Sequence, residues 1–144
     1  MRGKLIDDAG ESTYVVIFET GDEVAGGLLE FAKRNGLSGS HFTAIGAFSD
    51  VTLGYFDWER KEYRKIPIRE QVEVLSLVGD VALKEDGNPQ VHAHVVVGDA
   101  QGMARGGHIM EAHVWPTLEV VLEEAPQHLR RKSDPETGLA LISL

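Results

Sequence analysis

The chain is 144 residues long, 42% hydrophobic and free of cysteine, which suits one domain with a real core and excludes a disulfide framework, a thiolate metal site and a thiol nucleophile. Fourteen basic against twenty-three acidic residues give a formal charge of −9, a long-range barrier to polyphosphates, so direct DNA binding by the bare domain is disfavoured. No segment approaches the roughly 20 apolar residues of a membrane span, and Met1 to Asp7 lacks the apolar run of a signal peptide, so a soluble cytoplasmic protein is expected.

Residues 13–19, Thr-Tyr-Val-Val-Ile-Phe-Glu, are β-rich and short enough for a buried strand, which stops at Thr20-Gly21. Asp22 is placed to cap a helix whose apolar residues Val24, Leu28, Phe31 and Ala32 form one stripe, and Asn35-Gly36 supplies the C-terminal stop. β-like stretches follow at 40–48, 51–58, 62–68, 71–83, 90–98 and 117–124. In the last of these, Leu118, Val120 and Leu122 alternate with Glu119, Val121 and Glu123, the pattern of a half-buried strand. Turns fall at Asp86-Gly87-Asn88-Pro89, at Asp99 to Gly102 and at Asp134-Pro135-Glu136-Thr137-Gly138, none long enough to link domains. The chain therefore reads as a single domain over 1–144 of the α+β type, a mostly antiparallel sheet with one main helix packed on it.

His92, His94 and His108 carry the chemistry. In Val91-His92-Ala93-His94-Val95-Val96-Val97 the alternation sends both histidines to one face, about 7 Å apart at Cα. His108 follows after thirteen intervening residues, and Gly98, Gly102, Gly106 and Gly107 are expected to turn the backbone toward the strand. One core histidine is ordinarily just a satisfied polar residue. Several buried imidazoles without partners cost free energy that coordination recovers. Three neutral imidazoles suit zinc, with nickel, copper and iron compatible by ligand type, and they leave zinc a fourth position open, as catalytic sites do. Glu73 and Asp99 are candidate supporting carboxylates, although for each the reading as a solvated strand or turn residue ranks first.

The remaining features draw plainer readings. His113 is expected on the opposite face from His108, in a surface or interface role, and His41 and His128 as ordinary polar residues. Arg60, Lys61, Arg64 and Lys65, and the run Arg130-Arg131-Lys132, read as solvated surface. Trp58 and Trp115 read as core or subunit-contact residues, since no basic groove accompanies them. The chain has neither a Gly-x-Gly-x-x-Gly nor a phosphate-loop motif, and no serine stands in a nucleophile elbow.

Gly21-Asp22-Glu23-Val24, the run from Ala44-Ile45-Gly46-Ala47 to Thr52-Leu53-Gly54-Tyr55, Glu73-Val74-Leu75-Ser76-Leu77-Val78-Gly79, His92-Ala93-His94, Gly106-Gly107-His108 and Asp134-Pro135-Glu136-Thr137-Gly138-Leu139 follow one another along the chain. In this order they resemble the PPC domain, the plant and prokaryote conserved domain. The resemblance implies a compact fold with an antiparallel sheet, a homotrimer and, as in many prokaryotic members, a zinc-binding histidine triad. It departs at Glu70-Gln71-Val72-Glu73-Val74-Leu75, where plant members carry Gly-Arg-Phe-Glu-Ile-Leu for partner contacts, and in lacking the basic AT-hook that enters the minor groove.

Two readings follow. The first is a non-enzymatic, metal-binding homotrimer whose role is regulatory or partner-mediated, with association to DNA, where it occurs, through another protein. The second is a zinc enzyme acting on a small polar substrate at the three-histidine site. The first is preferred, because the ligands are evident and a catalytic base is not.

Overall fold

The computed structural model describes residues 1–7, 12–125 and 128–143. The elements run β1 (Arg2–Asp7), β2 (Ser12–Glu19), α1 (Val24–Asn35), β3 (Gly39–Asp57), β4 (Glu62–Ile68), β5 (Val72–Leu83), β6 (Pro89–Gly98), β7 (Ala104–Glu124), β8 (Arg131–Ser133) and β9 (Ala140–Ile142). Every ladder between them is antiparallel.

The main sheet has the order β1-β2-β7-β6-β5-β3-β4, and β7 also pairs with β3. The path β3 to β5 to β6 to β7 therefore returns to β3 and closes, with β1 and β2 on one flank and β4 on the other. Closure pairs each of the four ring strands on both sides over part of its length, which shortens the free edges. It depends on two long strands that each serve several partners. β3 pairs along one side with β5 through Gly39–Phe48 and with β4 through Val51–Asp57. β7 pairs with β6 through Ala104–His108 and with β2 through Thr117–Glu124. Register shifts in β3, one between Ala44 and Gly46, permit the bend that such sharing requires. The sequence expectation of separate strands at 40–48 and 51–58 is thus corrected to one bent strand, and 117–124 is the tail of a strand that starts at Ala104.

Period-two alternation fills the interior. Ala93, Val95 and Val97 of β6 and Leu118, Val120 and Leu122 of β7 are buried with Phe18, Phe42, Phe48 and Leu77 in one continuous core. α1 packs over β6 and β7 and buries Val24, Leu28, Phe31 and Ala32, the stripe its sequence shows. Its start is corrected by one residue. Glu23 is the N-cap and accepts from the N–H groups of Ala25 and Gly26, while Asp22 accepts from the Glu19 N–H. Glu reaches the cap because its longer chain folds back onto the first turn. At the other end Gly36 takes the left-handed conformation, φ 66°, as its position predicts.

Two further expectations hold only in part. The turn after β6 is confined to Asp99–Met103, where the Asp99 carboxylate accepts from the N–H groups of Gln101 and Met103. Gly106 and Gly107 are strand residues, required by close approach: a Cβ on Gly107 would lie 2.8 Å from the Gly54 carbonyl oxygen. Trp58 and Trp115 are 68% and 51% exposed and take no part in the protomer core, which corrects the core half of their reading. Among the described residues no helix is long and apolar enough to cross a membrane.

Candidate metal centre

The triad lies on the outer face of the ring, behind the buried Ala93 and Val95. His92 and His94 project together from β6, and antiparallel register sets His108 of β7 directly opposite His94. Such a pair brings Cβ atoms to about 5 Å. The three rings form a near-equilateral triangle, with centroids 5.1, 5.2 and 5.4 Å apart. One nitrogen from each lies within 4.8 Å of the others. A tetrahedral zinc with ~2.0 Å bonds wants donors roughly 3.3 Å apart, so a small inward rotation of each ring separates this arrangement from coordination.

Neighbours hold the rings in place. His108 faces Gly54 of β3 on its other side. A Cβ there would sit 2.9 Å from the Tyr63 ring, so glycine lets the Tyr63 ring of β4 lie across and stack on His108, 4.9 Å between centroids and tilted by 33°. Burial, and then the nearby His92 and His94, push the His108 imidazole down to about 4. Burial, then the Arg131 charge, against the opposing pull of Asp80, lowers His92 as well. Both rings are neutral at pH 7 and keep a lone pair for a metal. His108 Nδ1 is buried without a hydrogen-bond partner, a cost that coordination or a bound ligand would remove. The donor set therefore fits a transition-metal ion.

Sequence reasoning missed Arg131. It is 5% exposed, a correction to its reading as solvated surface. The stretch after β7 returns along β5, with the Leu83 N–H donating to Leu129 O, and β8 and β9 form a small hairpin beside the triad. From it Arg131 Nη2 donates to Asp80 Oδ1 at 2.6 Å and Nη1 to the Ala140 carbonyl at 2.8 Å. Asp80 is the cross-strand partner of His92, and Arg131 Nη2 also lies 3.3 Å from His92 Nδ1. That lone pair serves either the guanidinium or a metal ion, not both. The unbroken Arg130-Arg131-Lys132 charge run hides this residue, because nothing local distinguishes its one buried member.

The other candidates lie elsewhere. Glu73 is exposed and pairs with Gly98, at the far end of the β5–β6 ladder from His92. Asp99 closes its own turn and meets Arg105. His113 pairs with Asp50, 3.0 Å away, on a separate part of β7. His41 pairs with Glu123, and His128 Nδ1 lies 2.5 Å from Ser38 Oγ.

Fold and site together define a small α+β domain with a closed antiparallel sheet and an imidazole triad on its outer face. The chain belongs to the Plants and Prokaryotes Conserved (PCC) domain family, whose profile matches residues 7–126. It is similar to the crystal structure of a plant- and prokaryote-conserved protein from Pyrococcus horikoshii, 34% identical over 99% of this chain and 95% of that one, TM-score 0.85. A metal-containing protein from Archaeoglobus fulgidus is 31% identical over 99% and 97% of the two chains, TM-score 0.83. A protein from Bacteroides thetaiotaomicron, named as a candidate DNA-binding protein, is 26% identical over 98% and 96%, TM-score 0.89. The bifunctional protein GlmU of Synechococcus sp. (strain JA-3-3Ab) is 34% identical over 121 residues, 82% of this chain; the chain spans 18% of that protein's length.

Proposed function

We propose that this chain is a metal-binding, homotrimeric module with a regulatory role exerted through a protein partner, and that His92, His94 and His108 hold zinc. The carrying observation is the triad: three imidazole nitrogens within 4.8 Å of one another, with His92 and His108 shifted toward the neutral form that binds metal. The metal-containing relative from Archaeoglobus supports the same reading. Trimer assembly is supported by the outer sheet face, where Ile45, Val78, Val96 and Val121 are all exposed. Val78 pairs with His94 and with Thr43, and Thr43 with Val121, so the apolar row runs up to the triad. A face of this kind favours a subunit contact. Any DNA association passes through another protein, because a charge of −9 per chain, threefold in a trimer, opposes direct contact with phosphates.

The zinc-enzyme reading gains one observation, a cavity beside His92 and His108. Asp80, the carboxylate next to His92 in the sheet, is engaged by Arg131 and so is not a free base. Metal analysis on protein purified without an affinity tag tests the proposal. About one zinc per chain is expected, lost in His92→Ala and in His94→Ala. Light scattering should give about 47 kDa, three times the 15.8 kDa chain. A folded, metal-free parent overturns the zinc assignment, and a monomer overturns the assembly.

A further inference from the structure

His92 belongs to the triad and is also touched by the C-terminal hairpin, with Arg131 Nη2 lying 3.3 Å from its Nδ1. A neutral imidazole carries one proton and one free lone pair. When Arg131 donates to Nδ1, the ring proton sits on Nε2 and neither nitrogen is left for a metal. When a metal takes Nδ1, the guanidinium loses its acceptor. When a metal takes Nε2, the proton moves to Nδ1 and faces the guanidinium N–H, donor against donor. On every assignment the Arg131 contact and a metal bond to His92 exclude one another.

The hairpin is otherwise tied to the sheet by separate polar contacts. Arg131 donates to Asp80, the Ser133 N–H to Glu85 Oε1 at 3.0 Å, and the Leu83 N–H of β5 to the Leu129 carbonyl just ahead of the hairpin at 2.8 Å. Packing contributes less, because His92, His108, Leu139 and Leu141 line a cavity of about 170 Å³ instead of closing on one another. Leu141 and Ile142 remain exposed. A segment held in this way opens at a cost below that of the whole fold, so the loss of one contact from a charged donor changes its docking measurably. Asp80 and Arg131 balance each other in charge and together neither attract nor repel a cation by net charge, which leaves the His92 lone pair as the link between hairpin and metal.

We propose that the C-terminal hairpin and the metal compete for His92, so that metal binding loosens the hairpin and a docked hairpin weakens metal binding. The inference rests on the triad holding a metal cation, and it names the segment through which occupancy of that site is read.

Zinc affinity, measured on metal-stripped protein by competition with a chromophoric chelator, is compared between the parent and the double variant Arg131→Met, Asp80→Leu. The double variant removes a balanced pair and frees the His92 lone pair. It should bind zinc about tenfold more tightly, the scale of one hydrogen bond from a charged donor. Coupling is reciprocal, so zinc should weaken hairpin docking in the parent by the same factor. Amide exchange followed by NMR reads this without any substitution: zinc should speed exchange of the Ser133 amide about tenfold while slowing the amides of β6. In His94→Ala, which keeps the Arg131 contact and loses a ligand, zinc should leave Ser133 unchanged. Equal zinc affinity in parent and double variant, zinc that slows Ser133 together with β6, or zinc that speeds Ser133 in His94→Ala overturns the coupling and leaves the metal centre standing. Should the double variant not fold, the exchange measurement decides alone. A parent and a double variant that both fail to bind zinc overturn the metal reading and the coupling with it.

Discussion

Replacing Arg131 by Met isolates the contact that ties the C-terminal hairpin to the triad. The guanidinium is 5% exposed and sits 2.6 Å from Asp80. Removing one member of a fully buried pair costs about 3–5 kcal/mol, because the other charge is left without a partner. Asp80 retains 25% of its side-chain surface, so water recovers part of that loss. The bond to the Ala140 carbonyl adds about 1–2 kcal/mol, the range for a charged donor. The expected destabilisation is about 3 kcal/mol, read as a drop of about 1.5 M in the urea midpoint for a slope near 2 kcal/mol per molar. Both proteins are compared at one concentration, since assembly shifts apparent stability. Amide exchange at Arg131–Ser133 should accelerate more than exchange in β6, because the hairpin detaches first. The double variant Arg131→Met, Asp80→Leu removes both charges and should recover more than half of the loss. A loss below about 0.5 kcal/mol for the single change, the scale of an ordinary surface substitution, would refute the claim that this ion pair is a buried anchor.

Gly107→Ala should cost about 1–3 kcal/mol, since its Cβ would meet the backbone oxygen of Gly54 at 2.8 Å. Gly98→Ala meets only the flexible end of Leu75, 3.2 Å away, and should cost less in the same denaturation assay. The His113–Asp50 pair supplies a pH dependence. The hydrogen bond to Asp50 raises His113 above the usual 6.5, and the same bond lowers Asp50 below 3.8. The His113 contribution is complete below 6.5 and fades as pH rises through the higher folded value; the Asp50 contribution is complete above 3.8 and fades as pH falls through the lower one. Both groups are more than a third exposed, which limits the pair to about 0.2–1 kcal/mol. His113→Gln should therefore lower the urea midpoint more at pH 5.5 than at pH 9, and equal effects at the two values would contradict the assignment.

Local periodicity is enough to read much of this molecule from its residues. A period of two places His92 and His94 on one face of β6 and Leu118, Val120 and Leu122 on the inner face of β7. A period of 3.6 gathers Val24, Leu28, Phe31 and Ala32 on one side of α1. These patterns are legible because each depends only on backbone geometry within a single element. Spacing also singled out His108, but the backbone reason holds only for Gly102, which at φ 77° sits in the turn that reverses the chain, whereas Gly98, Gly106 and Gly107 are strand residues. Gly107 lets β7 run close beside β3, and pairing with β6 delivers the ring opposite His94.

Long-range placement accounts for the rest. Register across β5, β6 and β7 joins Asp80, His92, His94 and His108, residues up to 28 positions apart, and no local pattern specifies which strand pairs with which. The same holds for Arg131, one of three consecutive basic residues that are equivalent until the hairpin docks and buries one of them against Asp80. Side-chain direction follows from the chain's own stereochemistry, whereas burial, pairing and the cavity beside the triad arise from contacts between segments far apart along the chain, where desolvation and packing choose among residues of the same type.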